Sequence, residues 1–174
     1  MLLEQKIINN ISECQLCPFS KKLEEQFFPD VGQAFGSNPD IIFIVLRPTR
    51  ESHLIDRPID IVQKKFLFKL CEEAKLDIKR IYVTALVKCQ EYSNSKTKKF
   101  IKNAHTCISN HLVKEISSIK PKTIIILGNG TFNIIEEFNL NIPEVKLLST
   151  YSIEETMIGG KEKMNQMIEL FKSL

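Results

Sequence analysis

The run IIFIVL at Ile41–Leu46 decides the fold, because it is β-branched, nearly unbroken and too short for a helix. Two runs of the same kind follow, IYVTALV at Ile81–Val87 and TIIIL at Thr123–Leu127, with a weaker fourth, VKLLS, at Val145–Ser149. Continuous rather than alternating apolar character marks strands of a parallel sheet covered on both faces. The intervening segments carry stripes at helical spacing. Ile61, Phe66, Leu67, Leu70 and Ala74 make one, and Ile101, Ala104, Ile108, Leu112 and Ile116 a second. A short helix follows Gly130, and Met164, Met167, Ile168 and Phe171 form the last stripe. Strands alternating with helices predict an α/β fold, with about four parallel strands and helices on both faces. No repeat or linker divides residues 1–174, so one domain is expected. Ligands of such sheets bind beyond the carboxyl ends of the strands. That favours the loops Arg47–Pro58, Lys88–Thr97, Gly128–Thr131 and Thr150–Gly160.

Composition narrows the class further. A chain of 174 residues with 43% hydrophobic and 26% charged residues can bury a core without staples and is not a disordered segment. A net charge of +3 neither demands nor forbids a nucleic-acid partner, so only the placement of charge bears on that question. No stretch approaches the ~20 apolar residues that span a bilayer. Glu4 and Lys6 interrupt the apolar start, so no export signal is read there. The expected location is the cytoplasm, where disulfides are rare and the five cysteines serve as buried hydrophobes or metal ligands.

Cys14 and Cys17 form a C-x-x-C pair at the end of the first helix. Cys89 closes the second long strand, and Cys107 lies in the helix beyond it, with seventeen residues between them. Cys71 falls on a core stripe beside Leu70 and Ala74. The pair alone is compatible with zinc, a cluster or a redox couple. A thioredoxin-like role is weakened because no strand precedes the pair. Structural zinc draws on two close pairs, whereas one close pair plus two separated thiols better suits a 4Fe-4S cluster. The three histidines, His53, His105 and His111, have no metal-ligand spacing.

The succession ECQLC, YVTALVKC, C-I-S-N-H-L and IKPKTIIILGNGTF resembles the iron–sulfur (family 4) uracil-DNA glycosylases, from about Glu13 to Thr131 and more weakly to the C-terminus. The resemblance implies a glycosylase-like three-layer sandwich and a 4Fe-4S cluster on Cys14, Cys17, Cys89 and Cys107. It leaves Cys71 in the core. It also implies where excision chemistry belongs, and there the chain departs from the family. The family motif GEAPG, with its carboxylate, is Val45-Leu46-Arg47-Pro48-Thr49 here, so Leu46 stands at the acidic position. The stacking Phe of P-F-V-G is Ile59, the Asn that reads the uracil edge is Ala85, and the His of T-Y-H-P is Ser152. Stand-ins would be Glu51, Asp56 or Asp60 as the carboxylate and His53 as the donor. Four replacements together predict a glycosylase scaffold without normal uracil excision, since one lost preorganised donor already costs ~3 kcal/mol.

Charge placement suggests what the scaffold retains. Of four arginines, Arg47, Arg50 and Arg57 fall within eleven residues of the first strand's loop, and each offers a fork suited to phosphate. Gly128-Asn129-Gly130-Thr131 enters a helix with free amides, so Asn129 and Gly130 join the candidate anion site. Lys88, Lys96, Lys98, Lys99 and Lys102 form a second basic zone, nearly all of it between the later two cysteines. In the resembled family this segment lies beside the DNA groove. The expectation is an iron–sulfur protein that binds DNA backbone, and whether it is an enzyme stays open. One rival is an active glycosylase with shifted residues; the other is a protein-interaction or assembly factor on the same fold.

Overall fold

The computed structural model of the chain describes residues 3–18, 29–49, 58–89 and 94–174. The three β-branched runs become the central strands β2 (Ile41–Val45), β3 (Ile81–Ala85) and β4 (Thr123–Leu127), and β5 (Lys146–Thr150) lies at one edge. At the other edge stands β1 (Gln33–Ala34), too short to carry a hydrophobic pattern. The order is β1-β3-β2-β4-β5, parallel throughout except for β1 against β3. The expected parallel sheet is therefore present, with one short antiparallel strand added.

The helices are α1 (Gln5–Ser12), α2 (Ile61–Glu73), α3 (Lys98–Cys107), α4 (Val113–Ile119), α5 (Asn129–Glu137), α6 (Ile153–Ile158) and α7 (Gly160–Lys172). Alternate strand residues feed two cores. Ile42, Ile44, Tyr82, Ile124 and Ile126 pack with α3, α4 and α5, and Ile41, Phe43, Val83, Ile125 and Leu127 with α2, α6 and α7. The chain steps from β2 to β3 through α2, then crosses back over β2 to β4 through α3 and α4. That reversal puts the two crossovers on opposite faces, as right-handed connections require. The carboxyl ends of β2 and β4 flank the point where the direction reverses, which is where open α/β sheets bind ligands.

Several details differ from the sequence reading. Ile61 is exposed at the start of α2, where Asp60 and Gln63 make a reciprocal capping box. The stripe from Ile101 to Ile116 is not one α-helix, because a π-helical turn at Ile108–Leu112 separates α3 from α4. The segment Thr150–Gly160 is not wholly loop, since Ser152 and Glu155 cap α6 within it.

Beneath β3 lies a buried polar network. The Glu115 carboxylate of α4, fully inaccessible, accepts hydrogen bonds from the Tyr82 hydroxyl at 2.7 Å and the Thr84 hydroxyl at 3.0 Å. It also accepts from the Lys88 ammonium and from the Gly32 amide at 3.3 Å. Lys88 donates in addition to Thr84 at 2.5 Å. A buried carboxylate is tolerable only when paired and saturated in this way. Replacing Glu115 with Ala strands the Lys88 ammonium and is expected to destabilise the fold by about 3–5 kcal/mol. The double variant Lys88→Met, Glu115→Leu removes the stranded charge and should recover part of that loss in urea unfolding, the Tyr82 hydroxyl and Gly32 amide still lacking their acceptor. No recovery would refute the pairing argument.

Candidate functional site

The carboxyl edge of the sheet is assembled from four strand ends. Gly128, after β4, has φ of 95°, and its amide donates to the Thr150 carbonyl at 2.9 Å. A Cβ at Gly128 would stand 3.1 Å from Cβ of Ser152. The loops after β4 and β5 are thus closed on each other, and only glycine suits both the dihedral and the gap. Asn129 and Gly130 are exposed just beyond. Beside them a cavity of about 420 Å³ is lined by Asn129, Thr150, Tyr151 and Gln166 among others. A second cavity of about 730 Å³, between α4 and the Phe138–Val145 segment, lies at the opposite edge of the sheet.

Arg47 connects the loop after β2 to α3. Its guanidinium lies over the Phe100 ring, 5.6 Å from the centroid, in a cation–π contact. Thr97 caps α3 by accepting from the Phe100 amide at 3.2 Å. Around this junction Lys96, Lys98, Lys99 and Lys102 are all exposed. The first turn of α3 holds Lys98 and Lys99 and no acidic residue. Helix starts are already electropositive, so this arrangement disfavours the isolated helix and favours an incoming anion. Arg50 and Arg57 lie outside the described residues, as do Glu51, His53 and Asp56.

Lys88 must be removed from the basic surface. It is completely buried, and its ammonium is engaged by Glu115 and Thr84, with no path to a phosphate. The sequence placed it with the other lysines because spacing does not reveal that the chain turns inward after β3. Glu115 was missed for the matching reason, although it falls eight residues after Cys107 on the same helical face.

Cys14, Cys17, Cys89 and Cys107 come together on the face of the sheet occupied by α3. Cys17, Cys89 and Cys107 are buried in one apolar cluster, while Cys14 is half-buried at its margin. Burial pushes the Cys14 and Cys89 thiols up and Cys107 up to about 12, and neighbouring cysteines of the group add to each of these three rises. Two backbone amides oppose the rise. Leu16 donates to Cys14, and Lys88 donates to Cys107. The His111 ring, on the π turn, stands with Nε2 at 3.0 Å from the Cys14 sulfur. Burial, reinforced by Lys88, holds the His111 imidazole down at about 4. Among the described residues no three cysteine, histidine or carboxylate side chains are set to grip a single metal ion. Cys71 lies across the sheet in the other core, pushed up to about 12 by burial.

The sequence model of the uracil DNA glycosylase superfamily matches residues 33–172. The chain belongs to the uracil-DNA glycosylase superfamily. Its fold is similar to the crystal structure of wild-type Pedobacter heparinus SMUG2, with a TM-score of 0.61 and 16% sequence identity over 79% of this chain and 76% of that one. No curated protein matches the sequence.

The structure gives these surroundings to the positions that the sequence resemblance singled out. Ile59 and Ala85 are buried, and Leu46 is half-buried against the α3-side core. Ser152 accepts from the Glu155 amide at 3.1 Å, so its oxygen is used as a helix cap. Asp60, a possible substitute carboxylate, caps α2 by accepting from the Gln63 amide at 2.8 Å. Among the described residues no helix is long and apolar enough to cross a membrane. Replacing Gly128 with Ala should lower stability by about 1–3 kcal/mol in urea unfolding, through a left-handed dihedral forced on a Cβ. An unchanged midpoint would show that the two loops are not locked together.

Proposed function

We propose that this superfamily member is an iron–sulfur protein that binds DNA through its basic carboxyl edge and does not perform normal uracil excision. The observation that carries the reading is the gathering of Cys14, Cys17, Cys89 and Cys107 in one mostly buried group. Neutral thiols gain little from such crowding, whereas thiolates bound to iron require it. A 4Fe-4S cluster binds each thiolate to a different iron, so its ligands stand further apart than the ligands of one ion. Amides of Leu16 and Lys88 directed at sulfur suit the negative charge of bound thiolates. When bound, the cluster supplies a tie between the N-terminal segment, the end of β3 and α3.

The chemistry for excision is absent from the aligned positions. A flipped uracil is read at its Watson–Crick edge, and Ala85 has no polar atom to read it. Charge on a departing base needs a strong donor, and Ser152, whose oxygen accepts the α6 cap, offers only a neutral hydroxyl where the resembled family has a histidine. DNA backbone requires less: exposed cations and free amides. Lys96, Lys98 and Lys99, with Asn129 and Gly130, supply these beside Arg47, and Arg50 and Arg57 belong to the same loop in sequence.

Protein purified without air should absorb broadly near ~400 nm and contain iron and sulfide in cluster proportion. Colourless, iron-free protein would end the cluster reading. Binding to duplex or single-stranded DNA should weaken steeply between ~50 and ~200 mM salt, and Lys98→Ala with Lys99→Ala should flatten the log–log slope by about one per lost phosphate contact. Salt-independent or absent binding would favour a protein-interaction role instead. Uracil-containing DNA should survive incubation and alkali; cleavage at enzyme-like rates would restore the glycosylase.

A further inference from the structure

We propose that His111 is a positioning residue of the sulfur centre, donating an N–H···S hydrogen bond to Cys14 that raises the reduction potential of the bound cluster. This inference rests on the cluster reading above. Its Nε2 is 3.0 Å from the Cys14 sulfur, within bonding range for nitrogen and sulfur. A thiolate bound to iron can only accept, so in the loaded protein the imidazole proton resides on Nε2. Nδ1 is buried with no hydrogen-bond partner, which leaves the contact with sulfur as the ring's polar interaction among the described residues.

The backbone explains how His111 arrives there. An uninterrupted α-helix advances by 100° per residue, and the π turn at Ile108–Leu112 inserts a wider turn just after Cys107. The turn lets Cys107, His111 and Glu115, four residues apart, all face inward: Cys107 to the other thiols, His111 to Cys14 and Glu115 to Lys88. π turns of this kind occur frequently at functional sites. Cys14 is also the most exposed of the four sulfur-bearing residues, so it is the one whose sulfur would otherwise take its hydrogen bonds from water. A fixed donor at that sulfur withdraws charge from it and stabilises the extra electron of the reduced cluster.

The test compares wild-type protein with the His111→Leu and His111→Gln variants, all purified without air and titrated with dithionite. The Leu variant should keep the wild-type iron and sulfide content, with its midpoint moved to more negative potential. The Gln variant, which retains a donor, should lie closer to wild type. A midpoint unchanged in His111→Leu, or displaced equally in both variants, would overturn the donor role. Pulsed electron paramagnetic resonance of the reduced wild-type protein, with histidine labelled with nitrogen-15, gives a readout that needs no variant. A weak histidine nitrogen coupling supports the hydrogen bond; no coupling, or one as strong as direct iron ligation, overturns it. Iron-free wild-type protein would instead overturn the cluster reading itself.

Discussion

A single carboxylate, Glu115, organises this molecule from inside. Nothing in water reaches it, so every lone pair must be met by the protein, and Tyr82, Thr84, Lys88 and Gly32 meet them. Two of these donors lie on β3, one on the bend after it and one on the segment leading into β1. The contact therefore fixes α4 against the sheet at one rotation and one height. A purely apolar contact would tolerate sliding by a fraction of a turn, but a saturated buried charge does not. Because Lys88 immediately precedes Cys89, and Glu115 follows Cys107 on the same helical run, the network also sets where two of the thiols stand.

The sheet divides the molecule into halves with different roles. On the α2 side Cys71 is one more hydrophobe in a dry core with Phe43, Leu67 and Phe171. On the α3 side three cysteines sit in the core and a fourth at its margin, and Lys88, His111 and Glu115 are buried on the same side. Polar and sulfur-bearing side chains are concentrated on one face, and the carboxyl edge above carries exposed lysines and helix amides. Ile59 and Ala85 are buried apolar residues, and Asp60 and Ser152 serve as helix caps. The residues around the thiols are embedded in the core.

The central strands were legible because a β-branched run buried on both faces has no other plausible conformation. Ile41, Ile81 and Thr123 each begin a strand where the sequence placed one. The two-residue β1 carried no signal, since its pairing depends on β3 and not on its own side chains. The π turn was invisible for a related reason: Ile108 and Leu112 satisfy a regular helical stripe as well as they satisfy the wider turn. The cap of α6 was present in the sequence as Ser152 with Glu155 three residues on, a recognisable capping box that a loop assignment overlooked. Lys88 was misjudged by type, as a surface cation.

By itself the sequence determined the layer architecture and the separation of Cys71 from the other cysteines. These follow from residue type and local periodicity, which act over a few neighbours. Only the tertiary structure decided that Lys88 turns inward, that His111 meets Cys14, and that Arg47 lies over Phe100. Each of those contacts joins residues far apart in the chain, and their energy depends on burial and direction, neither of which a linear pattern encodes.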